Sequence, residues 1–245
     1  MNLFPTLTLF LLLLVNAQAE YARVEIKTSK SGNKKTMHLY LFDSRKEALK
    51  IIEQGTLEDQ PYRNLAQAMK AHQCTAGCNG GFFGKNGEPL GLVIADGKKY
   101  GHKNLASSLT SAVVGQASGA PFIQRSRAYF QNGTPKHQQV LQSGPMLVEN
   151  GKSVSGLSNK KNARRTIIFT DGKHRWGIAY APSISLALLA EALADSKTFA
   201  EFNIKHAINL DGGSSSGFWV RRDNNPFYLR EFGSVRNFVG VVPKK

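Results

Sequence analysis

The residues best equipped for chemistry are the run Asn209-Leu210-Asp211-Gly212-Gly213-Ser214-Ser215-Ser216-Gly217. A single carboxylate followed by two glycines holds one acid at a bend, where the backbone can take positive φ and a ligand can come close. The three serines add hydroxyl donors and a row of backbone N–H groups, a setting suited to an anion. Apolar runs at 205–208 and 218–220 flank the bend and have strand character. A plainer alternative is a tight hairpin with a solvated Asp211, because Asp-Gly is also a strong hairpin signal. Two-residue hairpins have no need of three further serines, so a site is the better reading. The stretch 213–217 also matches a nucleophile elbow centred on Ser215. That chemistry needs a strand-to-helix turn and a later histidine, whereas 218–220 reads as strand and the last histidine is His206.

Two further bends share this character. Asn79-Gly80-Gly81-Phe82-Phe83-Gly84 sets adjacent glycines before two aromatics, which suggests backbone packed tightly against something. Ser143-Gly144-Pro145 places a rigid turn before an apolar strand. A basic pair, Arg164-Arg165, enters another apolar strand through Thr166. Glu88 is the nearest motif-linked second carboxylate, in a loop where a solvated side chain is the ordinary outcome. His102 could donate a proton but reads more simply as a surface histidine.

In this order and rough spacing, the three bends and Arg165-Thr166 resemble the phosphodiester glycosidase family over about residues 70–242. The sequence departs from the family pattern in carrying two arginines before the threonine, and Ile167-Ile168-Phe169 where smaller residues are usual. The resemblance implies hydrolysis between a sugar anomeric carbon and phosphate in a phosphodiester-linked glycan. Phosphate leaves readily, so such a reaction asks for positive charge on the departing oxygens and a carboxylate near the anomeric carbon. On that basis Asp211 is expected to be catalytic, as nucleophile or as base for water. Arg165, with Arg164 in reserve, would hold the phosphate at two points. Backbone around Gly80, Gly81, Gly212 and Gly213, with Ser214 and Ser215, would complete the anion site. Asn79 and Asn209 would bind sugar hydroxyls or shape the turns, and Ser143 and Gly144 would line the substrate. The alternative in another class is a non-catalytic binding protein for an acidic envelope polysaccharide, using exposed aromatics such as Trp219.

The elements that must position these residues are mostly strands. Residues 21–28 alternate as a half-buried strand and pair across a polar turn with 37–42. A helix is expected over 44–54 with Ala48, Leu49, Ile51 and Ile52 inward, and a second over 62–72. The middle, 105–150, reads as short strands divided by Gly and Pro. A hairpin crosses Asp171-Gly172, and a helix runs from Ser183 to about Ala194. Helices inserted between groups of strands argue for an α+β fold, a strand-rich single domain with mixed or antiparallel sheets and a few flanking helices.

A formal net charge of +15 and an isoelectric point near 9.9 favour anionic partners, here a phosphorylated or acidic glycan. No basic run interleaved with aromatics appears, so nucleic acid is not expected. Residues 1–19 lack Lys, Arg, Asp and Glu and end in Ala17-Gln18-Ala19. They read as a signal peptide, leaving 20–245 as an exported domain, periplasmic or secreted. No stable membrane span and no obligate protein partner are expected. Cys74 and Cys78 are the two cysteines, and in an exported protein the pair can close a small disulfide loop. Cys74, Cys78 and nearby His72 lack a usual zinc pattern, and no acidic cluster accompanies Asp211, so neither metal nor cofactor is expected.

Overall fold

The computed structural model describes residues 19–27, 32–55, 59–133, 135–199 and 202–244. The leader expected over 1–19 therefore falls, but for Ala19, outside the described residues. Among those residues the strands form three sheets in which every pairing is antiparallel.

The first sheet has seven strands in the order Glu20–Lys27, Lys34–Asp43, Arg175–Ile184, Ala163–Thr170, His206–Asn209, Met146–Glu149 and Lys152–Ser153. The second runs Phe227–Leu229, Phe218–Val220, Ala76–Asn79, Asn237–Pro243, Glu47–Glu53. The third runs Lys98–Tyr100, Val93–Ala95, Gln139–Ser143, Ala112–Gln116, Pro121–Arg125. All three contribute to one core, where Ile168 and Ile208 meet Cys78, Phe218 and Val239, and Val114 and Leu141. Helix Leu186–Ala194 covers the far face of the first sheet through Leu189 and Leu193. Helix Leu65–Ala71 covers the second through Leu65, Ala68 and Met69, beside a buried Trp219.

The helix expected over 44–54 is instead the strand Glu47–Glu53, paired along its whole length with Asn237–Pro243. Glu, Ala, Leu and Lys favour a helix by only a few tenths of a kcal/mol per residue over most alternatives. As a strand the segment buries Leu49 and Ile51 in the central core and Ile52 on the opposite face. Such side chains gain about 1.5–3 kcal/mol each on burial, so tertiary packing decides. The later helix starts at Leu186, not Ser183, because Ser183 and Ile184 still close the strand and Ser185 caps Leu188 N–H at 3.3 Å.

The disulfide does not form. Cys74 and Cys78 are both free and buried. Cys78 lies in Ala76–Asn79 and points into the central core, whereas Cys74 packs on the other side of that sheet with Met69 and Phe238. Burial pushes the Cys74 thiol up to about 12 and raises Cys78 as well, so neither thiol is reactive.

The consequence for function lies at the strand ends. His206–Asn209 leads into the Asp211 turn, Ala76–Asn79 into Gly80, and Gln139–Ser143 into Gly144. Each bend is thus the exit of one strand from a different sheet, and sharing one core brings the three exits together.

Candidate functional site

Antiparallel pairing sets the centre of the site. Ile168 lies opposite Ile208 and Ile167 opposite Asn209. Carrying that register two residues further brings Arg165 across from Asp211, and the Leu210 N–H donates to Thr166 O at 2.9 Å. Gly212 is where the two meet. A Cβ there would lie 3.0 Å from Arg164 O and 3.3 Å from Arg165 Nη1. Its φ of −123° suits any residue, so glycine is needed there for space. Gly213 has φ +68° with open space around it, so glycine is needed there for conformation.

The other bends lock onto this turn through backbone. Asp211 N–H donates to Gly80 O at 3.0 Å, and Asn209 N–H to Pro145 O at 3.0 Å. Asn79 is wholly buried and uses every hydrogen-bonding position it has. Its Nδ2 donates to Asp211 O at 2.7 Å and Gly80 O at 3.3 Å. Its Oδ1 accepts from the Thr166 hydroxyl at 2.7 Å and Gly217 N–H at 3.1 Å. Asn209 donates to Gly144 O at 3.0 Å and also to Leu210 O, and Ser143 Oγ donates to Asn209 O at 3.2 Å. Asn79, Asn209, Ser143 and Gly144 thus form the framework under the turn. Gly80 and Gly81 do the same, because their N–H groups donate to Asn237 O and Oδ1, each at 2.8 Å. A Cβ on Gly80 would sit 1.9 Å from Asn237 Oδ1. Sequence reasoning missed Asn237, whose partners lie more than a hundred residues earlier with no local motif to signal them.

Asp211 is the acid presented by this framework, and it remains partly exposed. Burial raises its pKa above the usual carboxylate range, while hydrogen bonds from the Ser215 hydroxyl and the Gly212 N–H pull the other way. The Gly212 bond, 2.8 Å to Oδ1, fixes the carboxylate against its own turn.

The two arginines divide clearly. Arg164 donates to Gly213 O at 2.9 Å, Ser214 O at 3.3 Å and Arg230 O at 3.4 Å, and stacks 4.0 Å from the Phe232 ring centroid. It ties the turn to the following loop, where Phe232 N–H donates back to Ser214 O at 2.7 Å. Arg165 bonds only carbonyls, Ile184 O at 3.3 Å and Lys161 O at 3.2 Å, and pairs with no carboxylate among the described residues. Its Nη1 faces Gly212. Burial lowers its pKa, but a guanidinium stays charged at any physiological pH. The site thus holds a carboxylate fixed to its own turn and, against Gly212, a planar cation that forms no ion pair among the described residues.

Other candidates lie elsewhere or are shaped differently. Ser215 sits on a single turn of 3₁₀ helix followed by strand Phe218–Val220, so the nucleophile elbow is not built. Trp219, expected on the surface, is 2% exposed in the packing beneath helix Leu65–Ala71. Glu88 and His102 are exposed and line an open cavity of about 820 Å³ formed by the loops at 84–90 and 102–106. No cluster of three or more His, Cys, Asp or Glu suited to a metal occurs among the described residues.

Comparison with known proteins adds a family. The family model described as phosphodiester glycosidase matches residues 72–242. No curated protein sequence matches the chain. Among solved structures, the zebrafish N-acetylglucosamine-1-phosphodiester alpha-N-acetylglucosaminidase catalytic domain, auto-inhibited by its pro-peptide, aligns with TM-score 0.65 and 17% identity. That alignment covers 91% of this chain and 82% of the zebrafish domain. A hypothetical protein from Synechocystis aligns with TM-score 0.58 and 14% identity over 91% of this chain and 62% of its own. A Burkholderia pseudomallei K96243 protein aligns with TM-score 0.54 and 12% identity over 89% and 76%. At these identities the structural matches speak for the fold.

Proposed function

We propose, starting from the fact that this chain belongs to the phosphodiester glycosidase family, that it is an exported hydrolase cleaving the bond between a sugar anomeric carbon and phosphate. The carrying observation is Arg165 Nη1 set against Gly212, one residue along the turn from a carboxylate tied down by the Gly212 N–H. Arg165 would take two phosphate oxygens through its planar fork and disperse the charge that builds as the C–O bond breaks. The hydroxyl of Ser214, exposed at the same turn and without a hydrogen-bond partner among the described residues, would add a donor. Asp211 would face the anomeric carbon, where oxocarbenium-like charge develops, and act as nucleophile or draw a proton from water. Phosphate carries the departing electron pair without help from a strong acid, so one carboxylate suffices. Products are a free sugar and a phosphomonoester.

Arg164 is assigned to the framework, because all three of its guanidinium nitrogens bond carbonyls, whereas Arg165 bonds two and keeps Nη1 against Gly212. Basic charge across the chain would draw an acidic or phosphorylated glycan towards the site. Incubating the mature chain with N-acetylglucosamine and glucose 1-phosphodiesters tests the reading. Release of free sugar together with a phosphomonoester is the expected result, and intact substrate throughout the panel would reject it.

A further inference from the structure

Beside the Asp211 turn lies a second feature that the reaction does not use. A cavity of about 170 Å³ is walled by Gln54, Asn64, Arg63, Arg230, Phe232 and Ser234. At about 30 Å³ per water it holds roughly five or six waters, the space of one pyranose ring. Phe232 is 80% exposed, the most exposed large apolar side chain among the described residues. A single exposed apolar residue is ordinary on a protein surface, but this one is held in place. Arg164 stacks on its ring, and its N–H is bonded to Ser214 O at 2.7 Å. Gln54 is 2% exposed and its Nε2 donates to Val235 O, so it closes the cavity as a buried part of its wall. Arg63 and Arg230 form no ion pair among the described residues. Glu231, the acid of this wall, is already bonded by Leu65 N–H and the Tyr228 hydroxyl, both at 2.7 Å.

We infer that this cavity is a subsite for an acidic sugar unit, a pyranose bearing carboxylate or phosphate, in the same glycan whose phosphodiester reaches Asp211. The apolar face of a pyranose suits the ring of Phe232, and the two guanidinium groups suit an anion. Phe232 and Arg164 join the cavity to the turn at Ser214, so one chain of sugars can occupy both. The assignment rests on the proposed function only for what that turn handles; binding in the cavity stands or falls separately.

The test is ligand-observed NMR on the full chain with glucuronic acid, glucose 6-phosphate and neutral glucose. Both acids should bind more tightly than glucose. Phe232→Ala should weaken both by about tenfold, Phe232→Trp should restore them, and Arg230→Ala should remove the preference for acid over glucose. Absence of binding by the unaltered chain, equal affinity for glucose, or affinities untouched by Phe232→Ala would overturn the subsite. Hydrolysis measured in parallel keeps the two ideas apart. Cleavage of sugar 1-phosphodiesters with no Phe232-dependent binding removes the subsite and leaves the reaction; the converse removes the reaction and leaves the subsite.

Discussion

At the scale of single residues, the site sets a half-buried acid against a function that needs it charged. Burial raises the Asp211 pKa, so the folded state holds its proton to higher pH than the unfolded chain does. Stability from this group is therefore greatest at low pH and falls as pH rises through the interval between the unfolded and the raised folded pKa. Asp211→Asn removes that cost. It should melt at the same or a higher temperature at pH 7 while losing at least about a thousandfold in hydrolysis, a split read by calorimetry beside an activity assay. The same raised pKa predicts that activity of the unaltered chain fails on the acid side at a pH above the ordinary carboxylate value of about 4. The arginines should separate in the opposite sense. Arg165→Lys loses the planar fork and should cost about a hundredfold in kcat/KM with the melting temperature held. Arg164→Lys cannot reach three carbonyls and should show first as lost stability. Equal effects from both substitutions would contradict the division of roles.

At the scale of elements, the site is a meeting of three strand exits, and glycines serve it for different reasons. Gly80→Ala drives a Cβ into Asn237 Oδ1, so the exit of one sheet must move; it should cost about 1–3 kcal/mol in denaturant unfolding. Gly212→Ala meets Arg165 Nη1 at 3.3 Å and Arg164 O at 3.0 Å, so it should displace the cation and reduce activity out of proportion to stability. These bends were legible in the sequence because Asp, Gly and Ser announce their backbone demands locally. The Arg165–Asp211 pairing was legible in part, since both motifs stood next to apolar runs that could pair. Which arginine is tied up by the carbonyls of the turn and which keeps Nη1 against Gly212 was not, because that depends on contacts with residues far along the chain. The strand at Glu47–Glu53 was illegible for a related reason: its composition favours a helix weakly, and only its distant partner Asn237–Pro243 makes it a strand. Asn237 itself, holding Gly80 and Gly81, carries no signal at all.

At the scale of the whole molecule, three antiparallel sheets share one core, and the α+β class followed from strands outnumbering helices along the chain. What spacing along the chain could not supply was sidedness. Cys74 and Cys78 are close in sequence, yet a sheet passes between their side chains, so a pair that looked ready for a disulfide is held apart. Thiol titration without reductant should therefore find two free thiols after denaturation and essentially none reactive in the native protein, with a melting temperature indifferent to reductant. A single pair of oxidised cysteines would contradict that packing. The central claim is that the Asp211–Arg165 turn breaks the bond on the sugar side of phosphate. Hydrolysis of a sugar 1-phosphodiester in heavy-oxygen water tests it most directly: the account predicts label at the anomeric hydroxyl and none in the phosphomonoester, and label in the phosphate would contradict it.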